Sequence, residues 1–155
     1  MKITKKSEYA IRALIEIALN GEDRVTRAHD IAASQSLSVR FLEQVLLPLK
    51  YRGIVETKRG VGGGYVLNRS PETITMAEVI RIQDGPIAPV GCVSEIAYTS
   101  CCYNEKECAL RTALGEVRTA IVDVLERITL ADLCRRAVEL KALHAEAGAA
   151  EKVPA

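Results

Sequence analysis

Apolar positions along the chain follow two rhythms, and the points where the rhythm changes mark its parts. Between Thr4 and Asn20, the residues Tyr9, Ala10, Ala13, Leu14, Ile17 and Ala18 recur three and four apart, which predicts a helix closed by Asn20-Gly21. Thr26 can cap a short second helix through Ile31-Ala32-Ala33, and Ser36-Leu37-Ser38 interrupts it. Ser38 can cap a third helix towards Arg52, closed by Gly53. Pro48 lies inside that helix and predicts a kink or an early end to its regular part. The pattern then switches to two short runs, Ile54-Val55-Glu56-Thr57 and Tyr65-Val66-Leu67. They flank Lys58-Arg59-Gly60-Val61-Gly62-Gly63-Gly64, and two strands joined by such a loop make a hairpin.

Three helices followed by a hairpin is the order of a winged helix-turn-helix. Thr75-Met76-Ala77-Glu78 is a capping box for a fourth helix to about Gln83; Asp84-Gly85-Pro86 ends it, and Pro89 keeps the chain extended. A long helix is expected from Ala109 to Ile128. Its Leu110, Leu114, Val117, Ile121, Val124 and Ile128 form a coiled-coil seam, with Ala113 and Ala120 allowing close approach. A homodimer seam is the expectation, although a helix packed on its own domain shows the same stripe. A last helix starts at Thr129-Leu130-Ala131-Asp132 and is expected to reach about Glu146. The fold class expected is mainly α with a small β-hairpin. A winged helix-turn-helix domain would span 1–83, a cysteine-bearing loop 84–108, a dimerisation helix and C-terminal helix 109–146, and a flexible tail 147–155.

Composition narrows the function. The 155 residues are 48% hydrophobic and 26% charged, which suits a folded chain. No apolar run approaches the ~20 residues of a membrane helix. The start, Met1 to Lys6, does not read as a signal peptide, so a cytoplasmic protein without a membrane partner is expected. Aromatic residues are only 4%, which argues against a stacking platform for single strands. The net charge of +1 divides into +5 over residues 1–70 and −4 over the rest, pointing to an anionic partner for the front half. In a helix-turn-helix the second helix reaches base edges with its N-terminal residues, here Ser38, Val39, Arg40, Glu43 and Gln44. Double-stranded operator DNA is the expected partner. Arg40 can pair with guanine or a phosphate, Gln44 with adenine, and Glu43 with cytosine N4. Lys58 and Arg59 bring charge to the loop, and Arg59 could enter a narrow minor groove. A phosphate-binding loop is the weaker reading, because Gly60–Gly64 lacks a following Lys-Ser/Thr and leads into a strand. No paired His-carboxylate, G-x-S-x-G or Walker sequence suggests an enzyme.

The cysteines carry the remaining chemistry. Cys92, Cys101, Cys102 and Cys108 fall within 17 residues, and Cys134 stands apart. An odd count argues against a disulfide framework, leaving metal, cluster or redox chemistry. Nine residues separate Cys92 from Cys102 and five separate Cys102 from Cys108, wider than the close pairs of zinc sites. The spacing favours an iron–sulfur cluster on a loop. His29 and His144 lie outside the segment and are expected at the surface, and Cys134 is expected to be a small apolar filler.

Thr4, Tyr9-Ala10, Phe41-Leu42-Glu43-Gln44, Arg59-Gly60-Val61-Gly62-Gly63-Gly64-Tyr65 and the cysteine segment together resemble the IscR/NsrR/RirA/CymR regulators, the Rrf2 family. The resemblance runs from Met1 to about Cys134. It implies a homodimeric bacterial transcription factor whose winged helices read a partly palindromic operator. The family pattern is three cysteines, commonly five residues apart. Cys102 to Cys108 fits, while the first gap is longer whichever of Cys101 and Cys102 is used. The resemblance thus implies Cys92, Cys102 and Cys108 as cluster and metal ligands, with Cys101 as a spare. IscR-like members add a His three residues after the last Cys, where this chain has Arg111. NsrR-like members use a carboxylate early in the first helix of the other subunit, and the matching residue is Glu8. Three cysteines and a carboxylate resemble a 4Fe-4S arrangement more than 2Fe-2S. The position matching Glu43 is tied to sequence preference in IscR-like members, and that matching Arg59 to the minor groove. A cluster-free regulator responding to thiols or a partner protein, as in the CymR branch, is the alternative. An iron–sulfur electron carrier is a more distant one, since it leaves the winged helix unexplained.

Overall fold

Hydroxyl caps decide where the helices begin. Thr4 accepts the Ser7 N–H at 3.4 Å, Ser38 that of Phe41 at 3.2 Å, and Thr75 that of Glu78 at 3.1 Å. Each such cap contributes about 0.5–2 kcal/mol. The computed structural model describes residues 3–21, 24–100, 102 and 104–150. Its order is α1 (Lys5–Leu19), α2 (Ala28–Ser34), α3 (Val39–Tyr51), β1 (Val55–Lys58), β2 (Gly64–Leu67), α4 (Met76–Asp84), α5 (Ala109–Arg127) and α6 (Leu130–Ala150). Single 3-10 turns lie at Pro71–Thr73, Gly91–Val93 and Glu105–Glu107. The fold is the expected one, mostly helical with one antiparallel hairpin pairing Val55 with Leu67 and Lys58 with Gly64.

The structure corrects three local expectations. Thr26 does not cap α2, whose N-cap is Arg27 without a side-chain bond. Thr26 instead exchanges backbone hydrogen bonds with Tyr65 at 2.9 and 2.8 Å, and its hydroxyl accepts from Asn20 at 3.1 Å. Satisfying two backbone groups against the wing outweighs a single capping bond. Pro48 does not end α3, which continues to Tyr51. Leu46 and Leu49, fully buried on either side of it, hold the last turn in place. At the other end of the chain, α6 continues to Ala150 rather than ending at Glu146, and the expected tail beyond it, 151–155, lies outside the described residues.

One core joins α1, α2, α3 and the hairpin through Leu14, Ile17, Ile31, Leu42, Leu46 and Ile54, all essentially inaccessible. Burying each such side chain contributes about 1.5–3 kcal/mol. Leu130, at the start of α6, reaches back into the same core. Ala77, Ile80, Ile87 and Leu125 form a second cluster that seats α4 on α5. The α5–α6 corner is stitched to α4 by Met76 N–H to Ile128 O at 2.9 Å and Leu130 N–H to Ile74 O at 2.8 Å.

Candidate nucleic-acid interface and cysteine segment

Helical geometry sorts α3 into two faces. Leu42, Val45, Leu46 and Leu49 are buried, so Arg40, Glu43, Gln44 and Leu47 are exposed on the other side. Ser38 begins the helix, and its hydroxyl is engaged by the Phe41 N–H. A groove of about 410 Å³ separates this face from the wing, lined by Arg40, Glu43, Gln44, Lys50, Thr57 and Tyr65. Lys50 donates to the Thr57 hydroxyl at 2.9 Å and so ties the end of α3 to β1. Burial, with the Glu43 carboxylate as a second cause, pushes the Tyr65 phenol above its ordinary value. Lys50 and Tyr65 escaped the sequence reading of contacts. Lys50 was within reach of it, seven residues beyond Glu43 on the same helical face.

The wing is shaped by glycine where nothing larger fits. A Cβ on Gly64 would sit 2.2 Å from the Thr26 carbonyl oxygen, so the Thr26–Tyr65 bridge requires glycine there. Gly62 turns the tip with φ +94°. Lys58 and Arg59 are exposed beside this tip, Lys58 reaching Glu56 at 3.1 Å.

The cysteine segment packs against the start of α5. Cys92 is buried, 5% exposed, in the Gly91–Val93 turn. The Gly91 carbonyl accepts from Ser94 N–H at 3.1 Å and Thr99 N–H at 3.2 Å, folding residues 91–99 on themselves. Cys108 is the N-cap of α5, its Sγ accepting the Arg111 N–H at 3.4 Å. Desolvation, a hydrogen bond to Cys108 and the nearby Glu105 carboxylate push the Cys102 thiol above its ordinary value. Arg111 donates from Nε to the Cys92 carbonyl at 3.1 Å. The segment therefore brings Cys102 and Cys108 together and binds the Cys92 turn to the residue that caps on Cys108. Cys101 lies outside the described residues.

Among the described residues no three of His, Cys, Asp or Glu lie close enough to hold one metal ion. Cys92, Cys102 and Cys108 are free thiols in one segment, soft donors of the kind that iron–sulfur clusters take. Glu8 lies one-third exposed in the first turn of α1, paired with Lys5 and Arg12 at 2.6 Å each. The Lys5 hydrogen bond outweighs desolvation and lowers its carboxyl pKa, with the Lys5 and Arg12 charges adding to the effect. Among the described residues of one chain it does not join the cysteines in such a group. His29 and His144 are exposed, and Cys134 packs half-buried against the main core.

Beyond the cysteines, α5 exposes the alternate members of its apolar seam. Leu110, Val117 and Val124 are 66%, 46% and 45% accessible, while Leu125 faces inward. Among the described residues no helix is long and apolar enough to cross a membrane.

Comparison with known proteins follows this geometry closely. The model of the Rrf2 family, described as iron-dependent transcriptional regulators, matches residues 3–136. The regulator CymR of Bacillus subtilis is 36% identical over 86% of this chain and 89% of its own. The regulator NsrR of Geobacillus kaustophilus is 34% identical over 94% of this chain and 98% of its own. The solved structure of Bacillus subtilis CymR, titled a global cysteine regulator, superposes with a TM-score of 0.75 at 34% identity, covering 88% of this chain and 98% of that one. T. potens IscR superposes at 0.69 with 28% identity, covering 88% of each.

Proposed function

The chain belongs to the Rrf2 family of transcriptional regulators, and from that premise we propose that it works in the cytoplasm as a homodimer on double-stranded operator DNA, its affinity set by an iron–sulfur cluster at the cysteine segment. The observation that carries the DNA reading is the groove between α3 and the wing, with Arg40, Glu43 and Gln44 exposed on one wall. Arg40 and Gln44 are the side chains for base edges, and Glu43 selects by accepting from cytosine or repelling other edges. Lys58 and Arg59 at the wing tip and Ser38 at the start of α3 serve the backbone and minor groove. Neutralising phosphates releases counterions, so operator affinity falls steeply with salt.

Residues 1–83 are the DNA-reading part, 84–108 the cluster segment and 109–146 the part that joins two copies. The open apolar seam of α5 supports the last assignment, since Leu110, Val117 and Val124 otherwise face water. Cys92, Cys102 and Cys108 hold the cluster, and Glu8 of the second copy fills the remaining position. Thiolate and carboxylate ligation would supply bonds that oxidants or nitric oxide can break, the carboxylate being the more labile. The three cysteines and one carboxylate favour 4Fe-4S.

A second reading is supported by one feature. The influence of Cys108 on the Cys102 thiol, two free thiols on one segment, suits a cluster-free, thiol-responsive regulator, as does similarity to the structure titled a cysteine regulator. Anaerobic purification with iron and sulfide analysis separates the two. The cluster reading expects a coloured protein containing both elements. Cys92→Ala, Cys102→Ala or Cys108→Ala should abolish that content and Cys101→Ala should retain it, while Glu8→Ala speeds its loss. A colourless protein without iron after anaerobic reconstitution selects the thiol-responsive reading.

A further inference from the structure

Two arginines on α5 hold the Cys92 turn, and nothing in the reading above uses them. Arg111 and Arg118 are seven residues apart, two helical turns, and so share one stripe of α5. Arg111 Nε donates to the Cys92 carbonyl at 3.1 Å, and its own backbone N–H donates to Cys108 Sγ at 3.4 Å. One residue thus touches both the buried cysteine and the cysteine that caps the helix. Arg118 is the more buried of the two, its side chain only 14% exposed. Its Nη1 binds Glu95 at 2.6 Å, and its Nε is buried with no partner among the described residues. Sinking a guanidinium this far carries a desolvation cost that an exposed surface pair does not repay.

We propose that Arg111 and Arg118 are positioning residues, a two-point clamp that seats the 91–95 turn on α5 and so fixes where the Cys92 thiol is presented relative to Cys108. Arg111 grips the turn at Cys92 itself, and Arg118 grips it at Glu95, past the turn. The loop between them is already folded by the Gly91 carbonyl bonds to Ser94 and Thr99, so it moves as one piece. Gly91 is part of the same fit, because a Cβ there would meet the Thr99 Cβ at 2.9 Å. Release of either arginine frees the piece to lift from α5 and opens Cys92 to solvent. The long helix that exposes the apolar seam therefore also sets the geometry of the buried thiol.

The clamp bears on the cluster reading but does not require iron, and its test uses the full-length, cluster-free protein. Alkylation by iodoacetamide is followed residue by residue by mass spectrometry, with Cys134, packed on the main core, as the internal control. In the wild type Cys92, only 5% exposed, should react slowly. In Arg111→Ala and in Arg118→Ala its rate should rise roughly tenfold, as expected when a hydrogen bond to a charged group is lost from a local opening unit, with Cys134 unchanged. Arg118→Lys, which keeps a cation facing Glu95, should restore most of the protection. Glu95→Gln, at an exposed site, should raise the rate by a smaller factor. An unchanged Cys92 rate in both alanine variants overturns the clamp, as does a parallel rise at Cys134, which would mean general loosening. A wild-type protein that never takes up iron but behaves as expected here overturns the cluster reading and leaves the clamp standing.

Discussion

The reading face and the cysteine segment are built by different forces. Arg40, Glu43 and Gln44 owe their positions to Leu42, Val45, Leu46 and Leu49, each completely inaccessible on the opposite side of α3. The cysteine segment has little apolar support: over the described part of 91–108, only Cys92 and Ser94 are buried. It is held by polar ties, from Arg111 to Cys92, from Arg118 to Glu95 and from Tyr98 to Glu105. Ties of this kind, each with a charged partner and partly open to water, are worth about 0.5–3 kcal/mol apiece. Under the proposed function the contrast is that of a scaffold and a switch. The α3 face proposed to meet DNA is fixed by burial that no ligand can alter. The segment proposed to sense is fixed by contacts that a bound group or a changed thiol can rearrange.

The largest effect that sharpens this contrast belongs to the core. Leu46→Ala should cost about 2–5 kcal/mol of stability, read by urea denaturation, while Cys108→Ala, which removes only a thiol cap from α5, costs no more than about 1 kcal/mol. Comparable losses from both would erase the distinction between the regions. Gly64→Ala should follow at about 1–3 kcal/mol, because its Cβ would collide with the Thr26 carbonyl oxygen. It should weaken DNA binding through the wing without altering thiol reactivity. Ser38→Ala should cost about 0.5–2 kcal/mol by removing the cap that sets the first turn of α3. The smallest effect is a pH dependence at the start of α6. Hydrogen bonds from the Thr129 backbone and hydroxyl, then Arg135, hold Asp132 at a pKa of about 2, against about 3.9 for an unfolded chain. A depressed folded pKa stabilises the native state fully above the unfolded value and is lost as pH falls through the folded one. The first turn of α6 should therefore loosen between about pH 4 and pH 2, and Asp132→Asn should remove that dependence in hydrogen exchange.

The same contrast explains what could be read from the sequence. Burial leaves a periodic trace, so α1, α3, the hairpin and the α5 seam were all legible from apolar spacing. Hydroxyl caps at Ser38 and Thr75 were legible because a cap acts within three residues. Thr26 misled because its choice between capping α2 and pairing with Tyr65 depends on a wing some 40 residues away. Pro48 misled because buried leucines on both sides outweigh one missing hydrogen bond. The Arg111 and Arg118 contacts left no signal at all, since an arginine on a helix gives no indication of which distant carbonyl or carboxylate it meets. Polar ties of that sort become visible only when the chain is folded.

The central claim is that the state of the cysteine segment sets what the α3–wing face does. Its most direct test is the affinity of the same protein preparation for DNA from upstream of its own gene, measured by fluorescence anisotropy with the cluster loaded and then removed, at one fixed salt concentration. The account predicts a change of about 5–150-fold between the two states, the usual size of a coupling between sites. Equal affinity in the loaded and cluster-free protein would contradict it.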